Sequence, residues 1–567
     1  MPPSMDTLPT SALDVLDWSW EDYAPYAQAL IDAPLNEATL EDFMRDWTRF
    51  ANLTSEAYSR IYVATTLNTQ DETAQARYLN FVQHVVPEWS KAENTLQKKF
   101  VASGLTLANY DVPLRMMRAQ IELFREENLP LFTQLQTLEH EYNQIIGAQT
   151  VEWEGETKTL KQMDTVLMSA DRATRERAFR VIMARRLEDR DKLNAMWQQM
   201  YDLRVKIAQN ANHDNYLSYR WQEMGRFDYT PQDVQRFHAA IREVVVPAVE
   251  RLNARRAQAM GLSQLKQWDV YPDAHGREPL RPFSSGEELA NGTQSIFNQL
   301  DVQLGQYFQI MAEEGLLDLE NRPNKAPGGY CTTYPNVKRP FIFMNGVGIH
   351  DDLQTMLHEA GHAFHAFESL VHPYVGQVHA PIEFCEVASM AMELLTQPYL
   401  VKEKGGFYSA TEAARASTEH LENMLIFWAY MAVVDSFQTW VYTSGEGGDP
   451  AKCDAKWTEL WHTYKRGVDY SDIPEWVATG WHRKLHIFLI PFYYVEYGIA
   501  QLGAAQVWAN ALKDHAGALA AYRHGLSLGN TRPLSALFEA AGAKLAFDVE
   551  TLGAIVALIE QELADLA

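Results

Sequence analysis

The sequence predicts a mainly α protein with a small β element, and three observations lead there. Apolar residues recur at three- and four-residue spacings through most of the 567 positions. Short aromatic and β-branched runs bounded by Gly, Pro and Asn are confined to about 265–350. The composition, 47% hydrophobic and 22% charged, is that of an ordered chain long enough for more than one core.

In chain order, "VPLRMMRAQIELFREENLPLFTQLQTLEHEYNQII" (112–146) reads as an amphipathic helix interrupted near Pro130. "TVEWEGETKTL" (150–160), with Gly155 at its centre, reads as a β-hairpin. A long helix follows over 169–210 with Asp171 as its N-cap, and another over 229–261 with Thr230 capping and Pro231 in the first turn. "QWDVYPD", "PGGYCTTYP" and "RPFIFMNGVG" are the expected strands, and helices resume from 351 to the end. No repeat or linker is visible. A division near residue 215 would part an N-terminal helical region, 1–215, a lid or lobe, from a region 216–567 that carries every motif.

Bulk properties exclude several classes. A net charge of −25, from 49 basic and 74 acidic residues, would repel a phosphate backbone, so nucleic acid is not an expected partner. The longest apolar stretch, "MLIFWAYMAVV" (424–434), is too short for a bilayer, and no membrane partner is expected. The N-terminus "MPPSMDTLPTSALDVLDW" lacks a basic region followed by an apolar one, so the expected location is cytoplasmic. Cys331, Cys385 and Cys453 are far apart and without a C-x-x-C pair, which points to reduced thiols and away from disulfides or a cysteine metal site.

Chemistry concentrates in "DDLQTMLHEAGHAFHAFESL" (351–370). His358, Glu359 and His362 form H-E-x-x-H, and on a helix positions i and i+4 share a face, so both imidazoles can reach one ion. Zinc suits such a set because it takes imidazole nitrogens and acidifies the water it binds. The five-residue motif alone arises by chance in roughly a few per hundred unrelated chains of this length. Small residues Ala360 and Gly361 leave room for a second chain segment between the histidines. The next helix, "PIEFCEVASMAMELLTQPYL" (381–400), places Glu386 among Phe384, Val387 and Met390, where a carboxylate is costly to bury without a partner or a metal. Glu393, two turns on, falls on nearly the same face and can support a ligand histidine.

Together "HEAGHAFH" and "FCEVASMAME" resemble the H-E-x-G-H-x-x-H and E-x-x-S-x-x-x-E segments of the thimet oligopeptidase/oligoendopeptidase F family of zinc metallopeptidases. "WHRKLHIFLIPFYYVEYGIAQLGA" (481–504) is similar to that family's C-terminal block, and "KAPGGYCTTYP…RPFIFMNG" resembles its glycine-containing strand region. The resemblance implies His358, His362 and Glu386 as ligands of one zinc ion per chain, and Glu359 as general base. It implies His486, Tyr494 and Tyr497 as donors to the developing oxyanion, with Tyr493 a rival for a tyrosine position. His365 becomes an accessory residue beside the ligands or facing substrate, His379 a substrate contact, and Gly328 and Gly329 a close-approach edge or a turn. The implied fold is a large helical two-lobed peptidase with a deep central channel and a small β-sheet beside the zinc-binding helix. The implied activity is cleavage of internal bonds in short unstructured peptides, by a monomer or homodimer. A zinc carboxypeptidase with the same H-E-x-G-H core and a non-catalytic peptide-binding protein are the alternatives.

Overall fold

Helices begin where a side chain can satisfy the first free N–H groups. In the computed structural model, which describes residues 4–322, 324–326 and 328–566 without the side chains of residues 140 and 161, Asp171 accepts from Thr174 N at 2.8 Å and Thr230 caps the helix starting at Pro231. The 112–146 stretch forms two helices, Asp111–Leu123 and Leu129–Gly147, with Pro130 in the first turn of the second, where a missing N–H costs little. The single helix expected over 169–210 is divided into Arg172–Glu188 and Arg190–Asn210. It parts at Asp189, whose carboxylate is drawn to Arg185 at 2.7 Å and Gln149 at 2.8 Å. Where Val-Pro falls inside a helix, at Val86-Pro87 and Val246-Pro247, the preceding residues widen into π turns, Phe81–Val85 and Ile241–Val245. That is the local adjustment a missing proline donor calls for.

The chain divides into two compact units, each built from three separate stretches. The first comprises Met1–Phe124, Leu280–Ala416 and Ala500–Leu545, and the second Arg125–Pro279, Ser417–Ile499 and Ala546–Ala567. Residue 215 falls inside the second.

In the first unit the N-terminal helices Trp20–Asp32, Leu40–Leu67 and Val86–Ser103 enclose a core with Tyr23, Trp47 and Phe50 at its centre. The region expected to hold only strands also contains two helices, Gly286–Leu300 and Val302–Glu313, capped by Ser285 and Asp301. Their buried residues, Leu289, Ile296, Phe297 and Leu300 in the first and Leu304, Phe308 and Met311 in the second, recur at the three- and four-residue spacings of a one-sided helix. A three-stranded sheet follows in the order Leu317–Glu320, Arg339–Gly346, Tyr330–Tyr334. The first pair is parallel, and the second is antiparallel with Tyr330 opposite Phe343. This is the small sheet expected ahead of the histidine helix, although Pro327 lies outside the described residues.

In the second unit the expected hairpin is present. Thr150–Trp153 pairs with Glu156–Thr159, and Glu154 and Gly155 take the positive φ values (55° and 87°) of a two-residue hairpin turn. "QWDVYPD" is not a strand: only Leu265–Lys266 is extended, paired in parallel with Val468–Asp469, and Gln267–Asp269 is a 3-10 turn. The cause is Asp269, fully buried and held by Arg172, Arg175 and the Lys266 N–H, which draws the chain inward.

The longest helix, Ala410–Thr443, is long and apolar enough to cross a membrane, but 67% of its most apolar window is buried inside the protein, as in a core helix. All three cysteines are free thiols.

Candidate metal centre

The centre lies in the first unit and is made by two helices that the sequence brings unusually close. His350–Ser369 starts where the Asp352 carboxylate accepts from Val347 N (2.8 Å) and Ile349 N (3.0 Å). Gly361 faces the next helix, Ile382–Leu395: a β-carbon there would lie 2.6 Å from Ala388 O and Ser389 Cα. Glycine therefore sets the distance at which one helix can present two imidazoles to a carboxylate on the other. The Tyr522 hydroxyl donates to Ala388 O at 2.7 Å, which ties the glutamate helix to a third helix.

His358, His362 and Glu386 converge, with their candidate donor atoms all within 4.8 Å of one another. His358 Nε2 stands 3.4 Å and His362 Nε2 3.7 Å from Glu386 Oε2. Atoms bonded to a tetrahedral ion at 2.0–2.2 Å stand about 3.3–3.6 Å apart, so these separations fit one central cation. The supporting contacts agree. Glu393 Oε1 lies 2.6 Å from His358 Nδ1, which leaves Nε2 turned toward the cluster, and the Ser389 hydroxyl donates to Glu386 Oε2 at 3.1 Å. Two imidazole nitrogens and one carboxylate oxygen, each oriented from behind, form a donor set suited to a divalent metal.

The electrostatics are those of a crowded, poorly hydrated site. Burial, with repulsion from Glu386 and Glu393, raises the Glu359 carboxyl to about 7, while the charge of His358 and the Cys331 backbone N–H on the sheet's edge strand act against the rise. Burial lowers His362 to about 4. At His358 burial also pulls downward, but its contacts with Glu386 and Glu393 outweigh it and hold the pKa well above the ordinary histidine range. Glu393→Gln should keep all three donors yet weaken the orientation of His358. The expected loss in metal affinity is about 10- to 100-fold, read by competition with a chromophoric chelator.

Other expected site residues in this unit take distinct places. His365 is buried edge-on against Phe384, with ring centres 5.8 Å apart, and burial lowers its pKa to about 3; it is a core residue of the ligand helix, packed on the glutamate helix. His379 is exposed on the loop before Ile382. Gly328 serves a turn, at φ 98° with open space around its α-carbon, whereas Gly329 is the close approach: a β-carbon would meet Thr355 Cγ2 of the histidine helix at 3.1 Å. The contribution of Cys331 comes through its backbone and has no sequence signal. That of Ser389 was visible as the serine three residues after Glu386.

A second cluster lies within the second unit. His486 packs against Tyr494 (ring centres 4.9 Å apart), Tyr497 (5.9 Å) and Tyr493 (6.1 Å). Tyr494 is 5% exposed, while Tyr493 and Tyr497 are half-buried and 5.2 Å apart. Three arginines hold the segment that carries these rings. Arg204 donates to the carbonyls of Ile487 and Phe488, Arg220 to that of Pro491 at 3.2 Å, and Arg226 to that of Phe492 at 2.5 Å. Arg226 also pairs with Glu496 at 2.9 Å, both side chains essentially inaccessible, and Phe492 is held at φ 67° with its N–H donated to Gln438. A non-glycine residue in that conformation persists only where its surroundings impose it.

A mainly helical protein with an H-E-x-x-H helix and a distal glutamate converging on one point belongs to the class built around a single metal centre of the metallopeptidase type. Residues 165–555 match the family model described as peptidase family M3, more than half of the chain, and the protein belongs to that family. Among curated relatives, the chain is 28% identical over 159 residues to the chromosomal oligoendopeptidase F of Lactococcus lactis subsp. cremoris, a match covering 28% of this chain and 26% of that protein. It is 22% identical over 380 residues to an oligoendopeptidase F homolog of Lactococcus lactis subsp. lactis, covering 62% of this chain and 61% of the relative. These matches span less than two thirds of either relative's length. The structure of PZ peptidase A with inhibitor 2 superposes with a TM-score of 0.89 at 25% identity, covering 99% of both chains.

Proposed function

We propose that the protein is a zinc-dependent oligopeptidase that hydrolyses internal bonds of short, unstructured peptides. The observation that carries this reading is the convergence of His358 Nε2, His362 Nε2 and Glu386 Oε2 beside the buried Glu359. His358, His362 and Glu386 would hold one zinc ion, which when bound supplies Lewis acidity toward a carbonyl and toward water. Glu359 takes the proton of the attacking water and passes it to the leaving amine. Glu393 and Ser389 keep His358 and Glu386 oriented while this happens. We assign His486, Tyr494 and Tyr497 the donation of hydrogen bonds to the oxyanion, with Tyr493 as the rival donor. That assignment rests on the motif they share with the family and on the ring cluster they form with one another.

Internally quenched peptides with free and with blocked C-termini separate this reading from its two alternatives. The expected result is internal cleavage of both forms. Release of C-terminal residues from the free form alone would show a carboxypeptidase, and binding without cleavage a peptide-binding protein.

A further inference from the structure

The second unit contains three basic side chains that no carboxylate neutralises, in a protein carrying 74 acidic residues. The Lys484 ammonium lies 3.9 Å from the ring centre of Tyr494 and 5.6 Å from that of Tyr430. The Lys465 ammonium approaches the same Tyr430 ring, and the Trp461 ring, at 6.0 Å each. The Arg483 guanidinium lies 3.9 Å from Trp476 and 6.0 Å from Trp461, and one of its nitrogens donates to the Trp476 carbonyl at 3.2 Å. Shared rings thus tie the three cations into one cluster, with both ammonium groups around Tyr430. All three are half-buried, and among the described residues none forms an ion pair. Arg186 stands beside Arg483 in the lining of a small cavity, and the Asp164 carboxylate acts on Arg186.

Partial burial without a counter-charge has its expected consequence. Lys484 is lowered to about 7 and Lys465 to about 8, each by burial alone, and Arg483 to about 10 by burial and the charge of Arg186. Ring faces attract cations, but they have not offset the lost hydration. Against an overall charge of −25, the cluster is a local concentration of positive charge able to draw a negative ligand. A guanidinium matches a carboxylate's two oxygens, and ring faces give an apolar floor to the chain that bears it.

We propose that Lys465, Arg483 and Lys484 form a subsite that binds a carboxylate of a peptide, either its C-terminus or an acidic side chain. The choice of a peptide as the bearer rests on the oligopeptidase reading; the anion site itself does not.

The test is isothermal titration of the full chain carrying Glu359→Gln, so that nothing is cleaved. Three pentapeptides of one sequence serve as probes: the free acid, its C-terminal amide, and the amide with one residue replaced by glutamate. The expected result is that the acid or the glutamate peptide binds at least tenfold more tightly than the neutral amide, and whichever does so identifies the carboxylate's source. That gap should fall below about twofold in Lys484→Met and narrow in Lys465→Met. Both substitutions remove a half-buried charge and should leave the circular-dichroism spectrum unchanged. Equal binding of charged and neutral peptides, no binding of any at millimolar concentration, or a gap that survives both substitutions would overturn the proposal. If the gap is found but the zinc-loaded wild-type chain cleaves no peptide, the oligopeptidase reading falls and the anion subsite stands.

Discussion

Glu359→Gln is expected to lower the rate of peptide hydrolysis by about 10²- to 10⁴-fold while leaving the metal content unchanged. Glutamine fills the same buried volume, 7% exposed, but cannot accept the proton that hydrolysis must remove from water. Its carboxylate belongs to neither arm of the His358–Glu386 and His362–Glu386 contacts, so the donor set survives the change. Turnover measured under substrate saturation, with metal determined on the same sample, decides the matter. Near-normal turnover would remove Glu359 from its role.

The second large effect is structural in origin. Gly361→Ala forces a β-carbon into backbone atoms of the facing helix, at 2.6 Å from Ala388 O and Ser389 Cα, where no side-chain rotation can relieve the overlap. The helices must move apart, and the hydrogen bond from the Tyr522 hydroxyl to the same Ala388 O must adjust with them. The expected cost is about 3 kcal/mol in urea unfolding, at the upper end for overpacking. Metal affinity should fall with it, because the same separation carries Glu386 away from both histidines. A variant of wild-type stability and wild-type metal affinity would show that the two helices are not fixed at this distance.

Much of the centre was legible in the sequence, because its geometry is helical arithmetic. His358 and His362 at i and i+4, Glu386 on an apolar helix face, and Glu393 two turns further each occupy the place their spacing implies. Gly361 was readable as a point of close passage for the same reason. The Glu154-Gly155 turn followed from local chemistry alone. Features decided by distant partners were not legible. Asp269 turns "QWDVYPD" away from a strand by recruiting Arg172 and Arg175, nearly a hundred positions upstream. Asp189, where a helix parts, is held by Gln149 forty positions upstream. The hold of Arg204, Arg220 and Arg226 on backbone carbonyls around 487–492 has no residue-type signature on the accepting side. The two units likewise interleave three stretches each, a pattern no single composition shift announces.

The central claim is that His358, His362 and Glu386 hold the zinc ion on which hydrolysis depends. It is tested most directly by measuring metal content and hydrolysis of a quenched peptide on one preparation, before chelation, after it, and after zinc is restored, for the wild type and for Glu386→Ala. The account predicts about one zinc ion per wild-type chain, hydrolysis that is lost with the metal and regained with zinc, and neither tight zinc nor hydrolysis in the variant. Full hydrolysis by metal-free protein, or a Glu386→Ala chain that keeps both its zinc and its activity, would contradict it.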